Sequence, residues 1–277
     1  MKSLTHYIQE KLIIKKNKTT NYKYFPKTKE ELQDIIKKLR KREGNSVDLN
    51  NIDVSNITDM SGLFIGTNFN LDISRWDVSN VTNMSRMFEN CKLFNQDISS
   101  WDVSNVKNMN RMFYNCNNFN QDISAWDVSN VTSMESMFSK CKNFNKNISN
   151  WDVSNVTNMN GMFFYCKKFN QDIFSWDVSN VTDMSNMFFE CKKFNQDISK
   201  WDVSNVENMS YMFFDCKEFN QNISKWDVSN VKNMENMFCM CEAFNQDISK
   251  WDVSKVTSMS YIFNFCKIED KYKPKFK

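Results

Sequence analysis

The stretch Trp76–Ser100, WDVSNVTNMSRMFENCKLFNQDISS, decides the reading, because the chain repeats it. Trp recurs every 25 residues, as Trp76, Trp101, Trp126, Trp151, Trp176, Trp201, Trp226 and Trp251. Cys keeps the same interval, as Cys91, Cys116, Cys141, Cys166, Cys191, Cys216, Cys241 and Cys266. A fixed period of about 20 to 50 residues marks a solenoid or a similar array, in which each unit contacts only its neighbours. Outward from this stretch the units become atypical. The first, Asp53 to Arg75, has Ile52 in place of Trp, is one residue short near Asn68, and carries Gly66-Thr67-Asn68 where later units carry Cys. The ninth starts at Trp251 and breaks off after Cys266.

Within one unit, Val81, Met84, Met87, Phe88 and Cys91 are spaced by three, three, one and three, which predicts a short helix of about three turns opened by Ser79 or Asn80. Phe94 anchors a loop, and DISSWDV (97–103), with Ile98, Trp101 and Val103, predicts a short strand. A single unit cannot bury its helix face, so stacking is required, with a parallel sheet along one side. The eight tryptophans and eight period-matched cysteines then form structural ladders, beside others of Met and Phe. The expected architecture is an α/β repeat solenoid, leucine-rich-repeat-like, of about nine strand-plus-short-helix rungs with an N-terminal helical cap.

Three regions follow: a basic helical cap region over 1–50, the solenoid over 51–266 and a basic polar tail, expected to fray, over 267–277. Residues 1–50 hold 13 Lys and Arg against 6 Asp and Glu, the solenoid 18 against 25, and the tail five against two. In the cap region Ser3 opens a first helix with Leu4, Tyr7, Ile8 and Leu12 on one face, and 15–25 reads as a linker. Thr28 and Glu31 then form a capping box for KEELQDIIKKLRKRE, whose stripe is Leu32, Ile35, Ile36 and Leu39 and whose stop is Gly44. Its basic face (Lys37, Lys38, Arg40, Lys41, Arg42) admits nucleic acid, but a solvated face on a cap covering the first rung is the plainer account.

The start of the chain, MKSLTHYIQEKLIIKK, has no continuous apolar core, and no stretch approaches the roughly 20 apolar residues that span a bilayer, so a cytoplasmic location is expected. Eight of the nine cysteines share one slot of the repeat and read as reduced core fillers. Cys239-Met240-Cys241 is the only close pair, a weak metal signal, and no metal or cofactor is assigned. Two polar columns recur: Asn at 70, 95, 120, 145, 170, 195, 220 and 245, and Asp at 53, 77, 102, 127, 152, 177, 202, 227 and 252. A carboxylate column could hold calcium, but unscreened like charges repel, so turn chemistry with local backbone N–H groups is favoured.

The pattern WDVSNVxxMxxMFxxCxxFNxDISx closely resembles the 25-residue mycoplasma-type lipoprotein repeat of unknown function, grouped with BspA-type leucine-rich-repeat surface proteins. The resemblance covers residues 52–266, and FPKTKEELQDIIKKLRKREGNSVDLNNIDVSNITDM resembles the lead-in of such proteins. It implies a leucine-rich-repeat-like solenoid and a role in binding or adhesion at the cell surface. Many relatives carry an export signal or lipid anchor, and this sequence shows neither.

Enzymatic function is not expected. His6 is the one histidine, the glycines are isolated, and a uniform array offers no singular pocket or small-molecule substrate site. A binding site should lie where rungs differ, in the pair before each Cys. Phe164, Phe189 and Phe214 should align there as a stripe, widened by Tyr165 and Tyr211, with Tyr114 in the same slot two rungs earlier and Lys167, Lys168, Lys192, Lys193 and Lys217 nearby. Packing between helices is the plainer alternative for these rings. The leading expectation is a non-enzymatic scaffold for a protein partner. A BspA-type adhesin exported by an unrecognised route is the alternative, and nucleic-acid binding through the basic ends comes third, opposed by the acidic stack.

Overall fold

The computed structural model describes residues 22–276; the expected first helix around Leu4–Leu12 lies outside them. Among the described residues there is one α-helix, α1 (Lys29–Glu43), and three short 3-10 turns at Gly44–Ser46, Leu49–Asn51 and Asp270–Tyr272. Thr28 caps α1 by accepting from the Glu31 amide at 3.2 Å, while Glu31 reaches back to the Lys27 amide at 2.7 Å rather than to Thr28. Gly44 ends the helix at φ +62°, a conformation that costs glycine little. Leu32, Ile36 and Leu39 are buried in the solenoid core, and the Lys29 ammonium bonds Asp59 and Ser61 of the first rung at 2.8 and 2.9 Å. Residues 22–25 are not a linker, since Tyr24 pairs with Ile52 and Asp53.

The rungs form a repeat solenoid, but not from strands and helices. No rung contains a helix or a strand among the described residues; isolated parallel bridges join equivalent positions instead, from Asp59 through Asn83 and onward to Ser258. In the segment expected to be helical, alternate amides do different things. The Met184, Asn186, Phe188 and Glu190 amides donate to the Asn208, Ser210, Met212 and Phe214 carbonyls of the next rung, at 2.7–3.0 Å. The Met187, Phe189 and Cys191 amides donate to Met184, Asn186 and Phe188, three residues back, at 2.9–3.2 Å. The result is a ribbon of consecutive β-turns that also serves as the inter-rung ladder.

Left-handed backbone makes this possible and forbids the α-helix. Every fourth residue of the ribbon has positive φ: Arg86 and Asn90, Arg111 and Asn115, Ser136 and Lys140, Gly161 and Tyr165, Asn186 and Glu190, continuing to Tyr261 and Phe265. Apolar spacings of three and four arise equally from such turns, which is why the periodicity suggested a helix. Nor is 97–103 a strand. The Asp97 and Asp102 carboxylates accept the Ser99 and Ser104 amides at 2.9 and 3.2 Å, and the Trp101 amide donates to the Ile98 carbonyl at 3.2 Å, so local turns take the bonds that a ladder would need.

The internal columns are continuous. Trp76, Trp101, Trp126, Trp151, Trp176, Trp201, Trp226 and Trp251 are all buried, none more than 6% exposed. Their place differs from the expectation in one respect: each stands at a turn, its amide closing onto the Ile carbonyl three residues back, and not in a strand. What ties them together is side-chain bonding between rungs. The Trp126 and Trp151 indoles donate to the Ile98 and Ile123 carbonyls of the preceding rungs at 3.1 Å, and Trp201 and Trp226 donate to Ile173 and Ile198 at the same distance. Trp101, Trp176 and Trp251 repeat the bond to Ile73, Ile148 and Ile223 at 3.1–3.2 Å, whereas Trp76, with no complete rung before it, uses Leu49 at 3.0 Å. Neighbouring indoles lie nearly parallel, Trp201 being 6.5 Å from both Trp176 and Trp226.

The columns of Met, Phe and Ile are buried from the second rung to the eighth. Phe163 lies 3.9 Å from Phe169 and 5.8 Å from both Phe138 and Phe188, ring centroid to centroid. The thiols of Cys91, Cys116, Cys141, Cys166, Cys191, Cys216 and Cys241 each donate to a Phe carbonyl one rung back, as Cys166 does to Phe138 at 2.9 Å. Cys266, in the last rung, is only half-buried. All nine cysteines are free thiols, and burial raises the ladder thiols above the ordinary range.

The tail does not fray. Ile268 is buried, Tyr272 and Phe276 pack on the core, and the Ile248 amide donates to the Tyr272 carbonyl at 3.0 Å. Glu269 extends the asparagine column, its amide donating to Asn245 Oδ1 at 2.9 Å.

Candidate functional site

The side chains that differ between rungs sit on the outer edge of the turn ribbon, and the backbone there is indifferent to what they are. The second residue of each pair donates to the next rung, and the Cys amide after it closes a turn, whether the pair is Glu89-Asn90, Ser139-Lys140 or Phe164-Tyr165. Aromatic rings at these positions are therefore not needed to stack the rungs.

Three consecutive rungs nevertheless carry them. Phe164, Phe189 and Phe214 stack at 4.6 Å, with interplanar angles of 22° and 4°. Tyr165 lies 4.9 Å from Phe164 and 5.5 Å from Phe189, and Tyr211 lies 5.9 Å from Phe214 and 6.2 Å from Phe189. Phe164, Tyr165, Phe189, Tyr211 and Phe214 are all half-buried, and Phe189 at the centre of the stripe is the ring that the others flank. Tyr114 is not part of the stripe. The buried Ser139 separates it from Phe164, and it sits between Arg111, 4.8 Å from its ring, and Lys140, which donates to its hydroxyl at 2.9 Å.

Charge surrounds the stripe in alternating sign. Lys192 pairs with Asp215 at 2.9 Å, Lys217 with Glu242 at 2.6 Å, and Lys193 with Glu218. Lys167 lies over the Tyr165 ring at 5.7 Å. The hydrogen bond to Glu190 raises the Tyr165 hydroxyl above the usual tyrosine range, and burial together with the 3.0 Å bond to Glu235 does the same for Tyr211. Both hydroxyls stay protonated at neutral pH, giving an apolar strip with a neutral, hydrogen-bonding rim.

The polar columns have a structural use. Aspartates close turns: Ser179 donates to Asp177 Oδ1 from its amide at 3.0 Å and from its hydroxyl at 2.6 Å. The asparagines, expected to act locally, link rungs instead. Asn170 Oδ1 accepts the Asn195 amide at 2.9 Å, and Asn180 Nδ2 donates to the Ser154 carbonyl at 2.8 Å. A cleft of ≈ 500 Å³ between α1 and the first rung is lined by Ile36, Lys37, Arg40, Leu63, Phe64 and Thr67, where that rung lacks a residue. Sequence reasoning missed the exposed apolar residues Met259, Tyr261 and Phe265 of the last rung, because exposure there depends on the neighbouring rung and not on residue type: Met259 shares its slot with the buried Met234.

The repeat also matches a family. The model for "Mycoplasma protein of unknown function, DUF285" matches residues 30–141, 116–221 and 172–273, nearly the whole described chain. The chain belongs to this family. Overlapping matches to one DUF285 model agree with an array of like units. No curated protein matches the chain. Among solved structures it is similar to a leucine-rich repeat protein from Eubacterium ventriosum, at 13% identity and a TM-score of 0.37 over 79% of this chain and 76% of that one. It is also similar to a chain of a TLR13–ssRNA13 complex, at 9% identity and a TM-score of 0.28 over 84% of this chain and 38% of that one. Among the described residues, no helix of this DUF285 chain is long and apolar enough to cross a membrane.

Proposed function

We propose that the chain is a non-enzymatic repeat scaffold that binds a protein partner along the Phe164–Phe189–Phe214 stripe, with Tyr165 and Tyr211 widening the contact. The observation that carries this reading is the 4.6 Å stacking of three rings in consecutive rungs, in a column that elsewhere varies from Glu89 to Ser139 and Asn264. Contiguous, partly exposed aromatics with a mixed-charge rim are what anchor residues of an interface look like, and such anchors carry most of a binding energy. The inter-rung bonds beneath the stripe fix its backbone, so the partner meets a preorganised surface.

The test is a triple variant, Phe164→Ser, Phe189→Ser and Phe214→Ser, used as bait beside the unaltered chain in the lysate of its own cells. Because the backbone bonds do not depend on these side chains, the variant should remain folded and should lose the proteins that the unaltered chain captures. Capture of the same proteins with the same affinity by the folded variant would refute the proposal.

A further inference from the structure

The amides of the turn ribbon that bond between rungs point toward the following rung, and this polarity leaves the donors of the ninth rung unpaired among the described residues. Met234, Asn236, Phe238 and Met240 donate to Ser258, Ser260, Ile262 and Asn264 at 2.8–2.9 Å. One rung on, the equivalent donors are the backbone amides of Met259, Tyr261, Phe263 and Phe265, and among the described residues none of the four has an acceptor. The tail completes the other side of this rung through Glu269 and Tyr272 but leaves the donor row uncovered. Met259, Tyr261 and Phe265 are 38%, 68% and 71% exposed there, whereas apolar side chains of the inner rungs are nearly all buried. A row of unpaired amides beside exposed apolar side chains is a template for another chain.

Polarity restricts what can dock. A second copy apposed end to end would set donors against donors. Head-to-tail stacking would need the carbonyls of Asp59, Ser61, Leu63 and Ile65, which accept no backbone bond among the described residues but lie at the end that α1 occupies, pinned by Leu32, Ile36, Leu39 and Lys29. Both ends are also basic. We propose that the last rung is a docking edge for an acidic and partly apolar segment of another protein, folded there as a ribbon of turns and taken up as one additional rung. Carbonyls of alternate residues in that segment accept from Met259, Tyr261, Phe263 and Phe265. Its apolar side chains cover Val256, Met259 and Phe265, and its acidic groups meet the lysines of the tail. This follows the main-chain logic of strand addition, in the turn-ribbon register that the solenoid already uses internally. It lies two rungs beyond Phe214 on the same ribbon, uses backbone donors that the aromatic stripe does not, and does not depend on it.

The probe is a synthetic peptide of residues 204–215, SNVENMSYMFFD. Within the chain this stretch accepts the equivalent bonds from Met184, Asn186, Phe188 and Glu190, and it carries Glu207 and Asp215. Amide hydrogen exchange of the full chain, resolved by residue, gives the readout. The Met259, Tyr261, Phe263 and Phe265 amides should exchange rapidly in the free chain and slow about tenfold or more with saturating peptide, while a scrambled peptide leaves them fast. The double variant Tyr261→Asn, Phe265→Asn should weaken the effect about tenfold or more without unfolding the chain, because asparagine tolerates the positive φ of both positions. Three results would overturn the proposal: no slowing with the chain folded, protection located at the aromatic stripe instead, or protection already present in the free chain together with concentration-dependent assembly. The last would assign the edge to a second copy.

Discussion

Replacing Gly161 by alanine separates the turn ribbon from a helical rung by the sign of its effect. Were Met159–Cys166 a helix, Gly161→Ala would stabilise it by about 1 kcal/mol, the difference in helix propensity. In the ribbon Gly161 stands at φ +59°, where an L side chain costs about 1–2 kcal/mol. A Cβ built there meets Ser136 Oγ at 3.2 Å and Phe164 Cβ at 3.7 Å, the first contact being tight. The smaller entropy of the unfolded alanine chain offsets part of this, by about 0.4–1 kcal/mol, leaving a net loss of about 1 kcal/mol. Gly161→Asn should cost less, since Asn186 and Asn236 already fill the same slot with positive φ. The assay is urea unfolding followed by tryptophan fluorescence, with the slope of the transition compared to exclude changes in cooperativity. A Gly161→Ala chain about 1 kcal/mol more stable than its parent would refute the reasoning.

Three further outcomes follow from the same bonds. Trp176→Phe removes the indole donor to Ile148, whose carbonyl keeps the Trp151 amide, so the unfolding free energy should fall by about 1–2 kcal/mol through the lost bond and the smaller buried ring; a change within about 0.5 kcal/mol would deny the indole bonds a role between rungs. Alkylation of the native chain should modify Cys266, which is half-buried, before any of Cys91 to Cys241, whose buried thiols should react only once denaturant is added; mass spectrometry of timed digests reads the order. Bonds from Ser124 hold the Asp122 carboxyl below its usual range. Its contribution is therefore complete above the ordinary aspartate range and lost as pH falls through the lowered value; Asp122→Asn should flatten this acid limb in urea titrations, changing neutral stability by less than about 0.5 kcal/mol, as Asn147 and Asn222 already close the same turn.

Much of this was legible in the sequence because a fixed period converts position into place. Residues 25 apart share a column, so the Trp, Cys and Phe ladders and the alignment of Phe164, Phe189 and Phe214 could be read directly. The cap helix was legible too, since Thr28, the Leu32–Leu39 stripe and Gly44 act locally. The backbone path was not, because Val81, Met84, Met87, Phe88 and Cys91 satisfy a helix and a ribbon of turns alike. The same ambiguity put Trp126, Trp151, Trp201 and Trp226 in strands, although an indole bonding a carbonyl of the rung before needs only the shared column. One signal pointed the other way. All three glycines of the repeat region, Gly62, Gly66 and Gly161, fall in the two left-handed slots, and Asn90, Asn115, Asn186 and Asn236 share them. The tail was misjudged because its offset slips from 25 to 24 residues, so Glu269 falls under Asn245 and Ile268 is buried, as is Phe244 in the rung before. Exposure of the stripe could not be read at all, for it depends on how far the turn ribbon carries each side chain from its neighbours.

The ladder polarity is tested most directly by scalar couplings across hydrogen bonds, recorded on deuterated chain by NMR. The structure predicts couplings from the Met184, Asn186 and Phe188 nitrogens to the carbonyl carbons of Asn208, Ser210 and Met212. Couplings from these nitrogens to carbonyls four residues earlier in the same rung would show helices and contradict the account.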